Sequence, residues 1–369
     1  MKQKVTVIVV NYNSCKKWPI IETCLKGILS LNYRPLEIII VDNESTDGSL
    51  EKIKQILTKI KQDQDFRIKL IKLSKNYGFA VANLIAYKFK DQDSKYIALI
   101  NNDAYPEPES LGKLIRFLEK SEKIACVQGV NLSWDGRYIL TYGGFLTDHG
   151  LSGGIAAFME STTISSMKPI AVAFVDGAYS VCRVDAIEKA GGLFMPYFFM
   201  WGDDYELGIR MWRRGFIMVA VPIVASKHYS GASTNRDESS SIFEPPRMTR
   251  ICEYWYWTSN IAVLTLYGHP YILQLLKRLP TVAAFAVVKK SRIALRGFID
   301  GVKLGMELRK RLLKNEKWLR FPKEPIFRTN ILHEVALLLR LYLRFGYRAS
   351  RLYYILIARS IGRKYLKQN

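Results

Sequence analysis

Four short runs rich in apolar and β-branched residues frame the front of the chain: Val5–Val10, Leu36–Val41, Arg67–Leu73 and Tyr96–Ile100. Each gives way to a polar turn and then to a segment of helical periodicity, roughly 17–30, 48–60, 79–90 and 107–120. Apolarity that is continuous rather than alternating belongs to strands covered on both faces, as in a parallel sheet. Repeated strand–helix units of this length predict an α/β fold, an open, doubly wound and mostly parallel sheet flanked by helices. Ligands of such sheets sit beyond the carboxyl ends of the strands.

That edge gathers polar residues: Asn11-Tyr12-Asn13, Asp42-Asn43-Glu44-Ser45-Thr46-Asp47-Gly48, Asn76-Tyr77-Gly78 and Asn101-Asn102-Asp103. Singly, each cluster would serve as a helix cap or a turn, and Asp47-Gly48-Ser49 is read as the cap of a helix beginning near Leu50. Four on one edge read as a site. Asp42, ending its strand, is placed to accept a hydrogen bond from a ligand N–H such as a pyrimidine imide. Asp103 offers a hard oxygen to Mg²⁺ or Mn²⁺, with a diphosphate completing the shell. Neither GxGxxG nor GxxxxGK[ST] occurs at these turns, which argues against dinucleotide-fold and P-loop readings.

Further along, Ala171–Val175 leads into Asp176-Gly177, and the aromatic run Pro196–Gly202 leads into a helix expected over Asp203–Arg214. Leu207 and Met211 face inward and Gly215 stops it. Asp203, Asp204 and Glu206 suit a first helical turn, with Glu206 and Arg210 as an i,i+4 pair. Adjacent carboxylates behind an aromatic stretch also suit a general base, because each raises the proton affinity of the other. His228, after an apolar strand over Phe216–Val224, is the best nitrogen ligand to pair with Asp103.

In order, VVNYN, VDNESTDGS, NYGFAVAN, NNDAYP, DGAYSVCR, FFMWGDDYELGIRMWRRGF and HYSGAS resemble the family 2 glycosyltransferases of GT-A fold, in their rhamnosyltransferase-like branch, over roughly residues 4–235. The resemblance implies an inverting transfer from a UDP- or dTDP-sugar to a hydroxyl of a glycan or lipid-linked acceptor. It assigns Asp42 to the base, with Asn11, Tyr12, Asn13 and Asn43 around it, and Asn76, Gly78 and Asn83 to the donor. Asn101-Asn102-Asp103 takes the place of a DxD motif, with Asp103 and His228 holding Mn²⁺ or Mg²⁺. Asp204 falls where the catalytic base lies, and Asp176, Gly177, Trp201, Gly202 and Asp203 border the acceptor. Asn101 replaces an aspartate of the strict motif, so weaker metal binding is expected.

The formal charge of +22 is unevenly spread, since residues 247–369 hold 25 lysines and arginines against six acids. The sequence therefore divides into a domain over 1–245, with halves near 1–125 and 126–245, and a basic helical region over 246–369. The uncharged stretch Tyr254–Leu276 has the length of a membrane span, but its polar residues, Gly268 and Pro270 make it helix, break, helix. Arg292, Arg296, Lys303, Lys310 and Lys314 share one arc of a second helix. Arg340, Arg344, Arg348, Arg351 and Arg359 share one side of a third, opposite Leu341, Leu343, Tyr354 and Ile357. Glycines 297, 301, 305 and 346 are expected to break these helices.

Such basic amphipathic helices suit an anionic membrane surface, or else a contact in a homo-oligomer. They carry no nucleic-acid-binding motif, so a nucleic-acid partner is not expected. A sugar nucleotidyltransferase would need a glycine- and arginine-rich phosphate loop near the first strand, and VVNYNSCKK has none. Five dispersed cysteines without a CxxC pair predict neither a disulfide framework nor a zinc site. With an opening apolar run too short for a signal segment, the expected location is cytoplasmic, peripheral on the inner membrane face.

Overall fold

The computed structural model describes residues 2–148, 150–229, 249–268, 271–288, 292–313, 326–327, 331–345, 352–353, 355–360 and 363. Its first half alternates as the sequence predicts: β1 (Val5–Asn11), α1 (Trp18–Leu29), β2 (Leu36–Asp42), α2 (Ser49–Leu57), β3 (Phe66–Lys72), α3 (Gly78–Lys88) and β4 (Tyr96–Ile100). There follow β5 (Ala104–Pro106), α4 (Ser110–Leu118), β6 (Ile124–Ser133), β7 (Ile139–Thr141), β8 (Gly144–Thr147), β9 (Ser152–Gly154), β10 (Ile170–Val172), β11 (Tyr179–Arg183) and α5 (Val184–Lys189). The remainder comprises α6 (Asp203–Arg213), β12 (Ile217–His228), α7 (Arg250–Tyr267), α8 (Tyr271–Val288), α9 (Ile293–Leu313), β13 (Ile326–Phe327) and α10 (Ile331–Phe345).

One sheet runs β10-β12-β6-β11-β4-β1-β2-β3, with β5 on β12 and β7 on β6. From β3 to β4 it is parallel, and β11 lies antiparallel between β4 and β6. Strand alternation sorts the core into two layers. Val5, Val7 and Val9 of β1 face Leu25, Ile28, Leu111 and Leu114 of α1 and α4. Ile8 faces the other way, into a layer shared by α3, α6 and α7 through Ala82, Leu207, Ala262 and Leu266. Helix α7 thus packs into the same core as the strands, although it belongs to the basic last third. The boundary expected near residue 245 lies outside the described residues.

Several expectations need correction. Cys126 and Cys182 form a disulfide, because antiparallel pairing of β6 with β11 sets them directly opposite each other. Their separation of 56 residues gave no hint of that register. Glycines 297, 301 and 305 do not break α9. They form its contact stripe on α7, where an added Cβ would lie 2.7 Å from Trp257 Cβ, 2.6 Å from the Thr258 carbonyl and 2.5 Å from Thr265 Cβ. Leu343 is exposed, and among the described side chains of α10 the buried one is Leu338. Arg359 donates to the Phe158 carbonyl of the body instead of joining a solvent face. Lys314, Gly346, Arg348, Arg351 and Tyr354 lie outside the described residues. Among those described, no helix is long and apolar enough to cross a membrane.

Candidate active site

Parallel register brings the ends of β1 and β2 level, with Asn11 opposite Asp42. Asn11 becomes a junction. Its amide donates to Asp42 Oδ1 at 3.0 Å, while its Oδ1 accepts from Asn102 Nδ2 at 3.0 Å and from Ser14 Oγ at 2.6 Å. Asp42 is fully buried, and its second oxygen accepts from the Ser45 backbone N–H at 3.0 Å. The turns bracing this end are strained, with Asn13 and Glu44 at φ of 44° and 66°. Tyr12 projects beside them, partly exposed.

Asn43 donates to Asn76 Oδ1 at 2.9 Å and to the Gly78 carbonyl at 3.2 Å, and accepts from the Tyr77 N–H at 2.9 Å. Gly78 is required by close approach: a Cβ there would lie 2.1 Å from the Phe199 carbonyl, which accepts from the Phe79 N–H at 2.7 Å. The loop before α6 is therefore docked on the start of α3. Asn83 sits deeper in α3, buried, its amide donating to the Phe79 carbonyl at 2.9 Å. It is not brought to the open edge.

Antiparallel pairing of β12 with β5 sets His228 opposite Ala104, and the Tyr229 N–H donates to the Asp103 carbonyl at 3.0 Å. As a result His228 Nε2 lies 2.9 Å from Asp103 Oδ1. Burial pulls the imidazole down, but Asp103, with Asp176 beyond it, outweighs this and holds it above its ordinary value. Asn101 and Asn102 are half-buried next to Asp103. Among the described residues, no group of three or more His, Cys, Asp or Glu is arranged to hold a metal ion.

In the first turn of α6, Asp203 and Glu206 are buried while Asp204 stays half-open. Burial raises Asp204 well above the usual carboxylate range, with Asp203 and Asp176 adding to it and the Gly177 N–H opposing it. Asp203 is pushed up to about 7, by burial first and by Glu206 next. Gly177 leaves room for this carboxyl, since a Cβ there would lie 3.2 Å from Asp204 Oδ1. Asp42, Asn11 and Asn102 are thus joined by hydrogen bonds at the sheet edge, with the Asp103–His228 pair next in the chain and Asp176 acting electrostatically on both His228 and Asp204.

The far wall comes from the last third of the chain. Gly202, at φ of 84°, passes so near α7 that a Cβ would meet Ser259 Cβ at 2.8 Å. Ser259 Oγ donates to the Met200 carbonyl at 3.1 Å, Trp255 stacks on Phe199 at 5.7 Å, and Tyr256 meets exposed Trp201 edge-on at 6.3 Å. Trp201 itself adopts φ of 64°, a strained conformation for a bulky residue. Below, Glu206 binds Arg210 at 2.8 Å and accepts from Tyr267 Oη of α7 at 2.5 Å. Sequence reasoning missed this α7 wall, although the run Tyr254-Trp255-Tyr256-Trp257 was a signal for it.

A family model described as glycosyl transferase family 2 matches residues 6–191. An uncharacterized glycosyltransferase of Haemophilus influenzae is 31% identical over 123 residues, 33% of this chain and 35% of that protein, so the match spans about a third of the relative's length. An N-acetylglucosaminyl-diphospho-decaprenol L-rhamnosyltransferase of Mycobacterium tuberculosis is 24% identical over 276 residues, 68% of this chain and 84% of that protein. Among solved structures, the mannosyltransferase PcManGT from Pyrobaculum calidifontis, in complex with GDP-Man and Mn²⁺, is similar with a TM-score of 0.50 at 15% identity, over 98% of this chain and 88% of that one.

Proposed function

Since the chain belongs to glycosyl transferase family 2, we propose that it moves a sugar from a uridine or thymidine diphosphate donor to a hydroxyl of a lipid-linked glycan acceptor, with inversion. The observation that carries this reading is the hydrogen-bonded set Asp42–Asn11–Asn102 beside the pair Asp103–His228 at one sheet edge, with Asp176 acting electrostatically on both His228 and Asp204. In it Asp42 accepts the imide N–H of the base, with Asn11, Tyr12, Asn13 and Asn43 around the nucleoside. Asn76 and Gly78 support the donor side, Asn83 only braces α3 from within, and Asn101 and Asn102 border the diphosphate. On this division residues 1–125 handle the nucleotide, 126–245 the acceptor, and 246–369 form the basic helical region.

Asp204 takes the proton of the acceptor hydroxyl as its oxygen attacks the anomeric carbon, and the bond from that carbon to the diphosphate oxygen breaks on the opposite face. Asp176, Gly177, Asp203 and the Trp201-Gly202 turn hold the acceptor against that base. The residues fit a divalent cation. Asp103 Oδ1 and His228 Nε2, a hard oxygen and an imidazole nitrogen 2.9 Å apart, would hold it from the protein side. With only these two side chains, the donor diphosphate would supply further oxygens. When bound, Mn²⁺ or Mg²⁺ neutralises the charge that develops on the departing diphosphate.

A lipid-linked acceptor is supported by the name of the mycobacterial relative and by the last third of this chain. There α8 exposes Ile272, Leu273, Leu276 and Leu279, α9 exposes Leu295, Ile299 and Met306, and α10 exposes Leu339 and Leu343 beside Arg340 and Arg344. Apolar side chains interleaved with cations suit the headgroup layer of an anionic membrane, in keeping with a peripheral location on its inner face. The test is a transfer assay across UDP- and dTDP-sugars with a diphosphate-lipid acceptor, with and without Mn²⁺. Donor-dependent product is expected, and absence of transfer or hydrolysis with every donor would refute the reading.

A further inference from the structure

In the turn after Asp204, α6 carries a buried ion pair that no step of the transfer uses. Glu206 and Arg210 are both buried, and Arg210 Nε donates to the two Glu206 oxygens at 2.8 and 2.9 Å. The rest of the guanidinium reaches a different segment. Its Nη1 donates to the carbonyls of Ala190 at 2.9 Å and Gly192 at 2.6 Å, and its Nη2 to that of Leu193 at 3.0 Å. These carbonyls belong to the turn that ends α5. There the Gly192 N–H donates to the Ile187 carbonyl and the Gly191 N–H to the Glu188 carbonyl, both at 2.9 Å, a helix stop in which the two glycines take φ of 91° and 114°. A helix end leaves carbonyls without a helical partner, and Arg210 brings the donors.

The segment that leaves this turn, 193–202, returns to the same helix. Leu193, Phe194 and Phe198 sink into the core, the Phe199 carbonyl accepts from the Phe79 N–H, and Gly202 caps α6 immediately before Asp203 and Asp204. Its start is thus held by Arg210 and its end by the first turn of α6. Helix α6 is itself a fixed reference: a Cβ on Gly208 would lie 2.3 Å from the Ala173 carbonyl, and Trp212 Nε1 donates to the Val172 carbonyl at 2.9 Å. The Tyr267 hydroxyl on Glu206 adds α7, which carries Tyr256 and Ser259, to the same assembly. A buried ion pair adds little net stability over a well-packed apolar pair of similar volume. What an apolar side chain cannot do is hold these carbonyls in a fixed plane, and lysine, a point charge on a flexible stem, cannot do so either.

We propose that Arg210 is a positioning residue for transfer: with Glu206 and Tyr267 it clamps the start of segment 193–202 to the helix that bears Asp204, and so fixes the Trp201-Gly202 turn against the base. This deepens the transferase reading and rests on it for Asp204 as the base and for that turn as the border of the acceptor. An acceptor aligned along the turn depends on the clamp. Water, which needs no such wall, reaches the donor without it.

The test compares the full-length parent with Arg210→Lys and with the double substitution Glu206→Leu, Arg210→Met, which removes both charges together and is expected to fold because neither is left buried alone. Donors are the UDP- and dTDP-sugars that the parent turns over, and the acceptor is N-acetylglucosaminyl-diphospho-farnesol. UDP calorimetry in Mn²⁺ counts competent sites, with affinity expected to stay unchanged. Per competent site, transfer is expected to fall by about tenfold to hundredfold, the scale of an ångström's misplacement, with a raised acceptor KM, while hydrolysis of the donor by water stays near the parent's rate. A purely structural pair would lower the number of competent sites and leave KM and the ratio of transfer to hydrolysis as in the parent, and that result would overturn the proposal. Hydrogen exchange reads the clamp without substrate. Backbone amides of 193–202 are expected to exchange faster in both variants, with those of β1 and β2 unchanged, and equal protection of 193–202 in all three proteins would overturn the clamp. A parent that turns over no donor would instead refute the transferase reading, which the exchange result does not depend on.

Discussion

Asp103 Oδ1 and His228 Nε2 lie 2.9 Å apart although 125 residues separate them in the chain. This contact is held from both sides by backbone pairing of β5 with β12, which fixes the two atoms proposed as cation ligands side by side. We therefore expect Asp103→Ala to weaken UDP binding in Mn²⁺ by about tenfold or more, the scale of a lost charged contact. Binding in EDTA should hardly change. Calorimetry under both conditions checks this, and an equal loss in EDTA would mean that Asp103 acts on the nucleotide without a metal.

Asp204→Asn keeps the shape of the first turn of α6 and removes the carboxylate proposed as the base. Transfer should fall by about 10²–10⁴-fold, the usual contribution of a positioned general base, with the affinity for UDP unchanged. Single-turnover transfer measured beside UDP titration separates the two effects. Retention of full activity would take Asp204 out of this role.

The pH dependence follows from the carboxyl pair. Burial raises Asp204 well above the carboxylate range, and Asp203 and Asp176 raise it further. A base must be deprotonated to act, so activity should rise with pH and its acid limb should lie above the range of an ordinary aspartate. Asp203→Asn removes a like charge, which lowers the Asp204 pKa and moves the acid limb to lower pH. A rate–pH profile of the two proteins checks this. A shift upward, or none, would assign the limb to another group.

Much of this site could be read from the sequence because its residues follow strands at fixed offsets. Once β1, β2 and β4 are recognised as neighbours in a parallel sheet, Asn11, Asp42 and Asn102 must meet at one edge, whatever their separation along the chain. Periodicity also located α6 and its stop at Gly215. What it lacked was pairing between distant segments. The β6–β11 register that joins Cys126 to Cys182 is set by non-local contacts, and no local pattern encodes it. For the same reason Gly297, Gly301 and Gly305 looked like breaks: an isolated glycine weakens a helix, and only the closeness of α7 reveals why a larger residue is excluded.

Two glycine-to-alanine substitutions test that closeness with opposite signs. In α4, Gly112 has only ordinary contacts around the position of a Cβ, the nearest being Arg116 Nη1 at 3.7 Å. Alanine there should stabilise the protein by about 0.4–1 kcal/mol, by restricting the unfolded chain. In α9, a Cβ on Gly301 would lie 2.6 Å from the Thr258 carbonyl and 2.8 Å from Ile261 Cβ. Alanine there must push α9 from α7, and overpacking of this kind costs about 1–3 kcal/mol. Because α7 also carries Trp255, Tyr256 and Ser259 against the loop before Asp204, its displacement should raise the acceptor KM and leave UDP affinity intact. Urea unfolding and acceptor kinetics check the pair. If Gly301→Ala proved as stable and active as the parent, the glycine stripe would have no part in holding the acceptor wall.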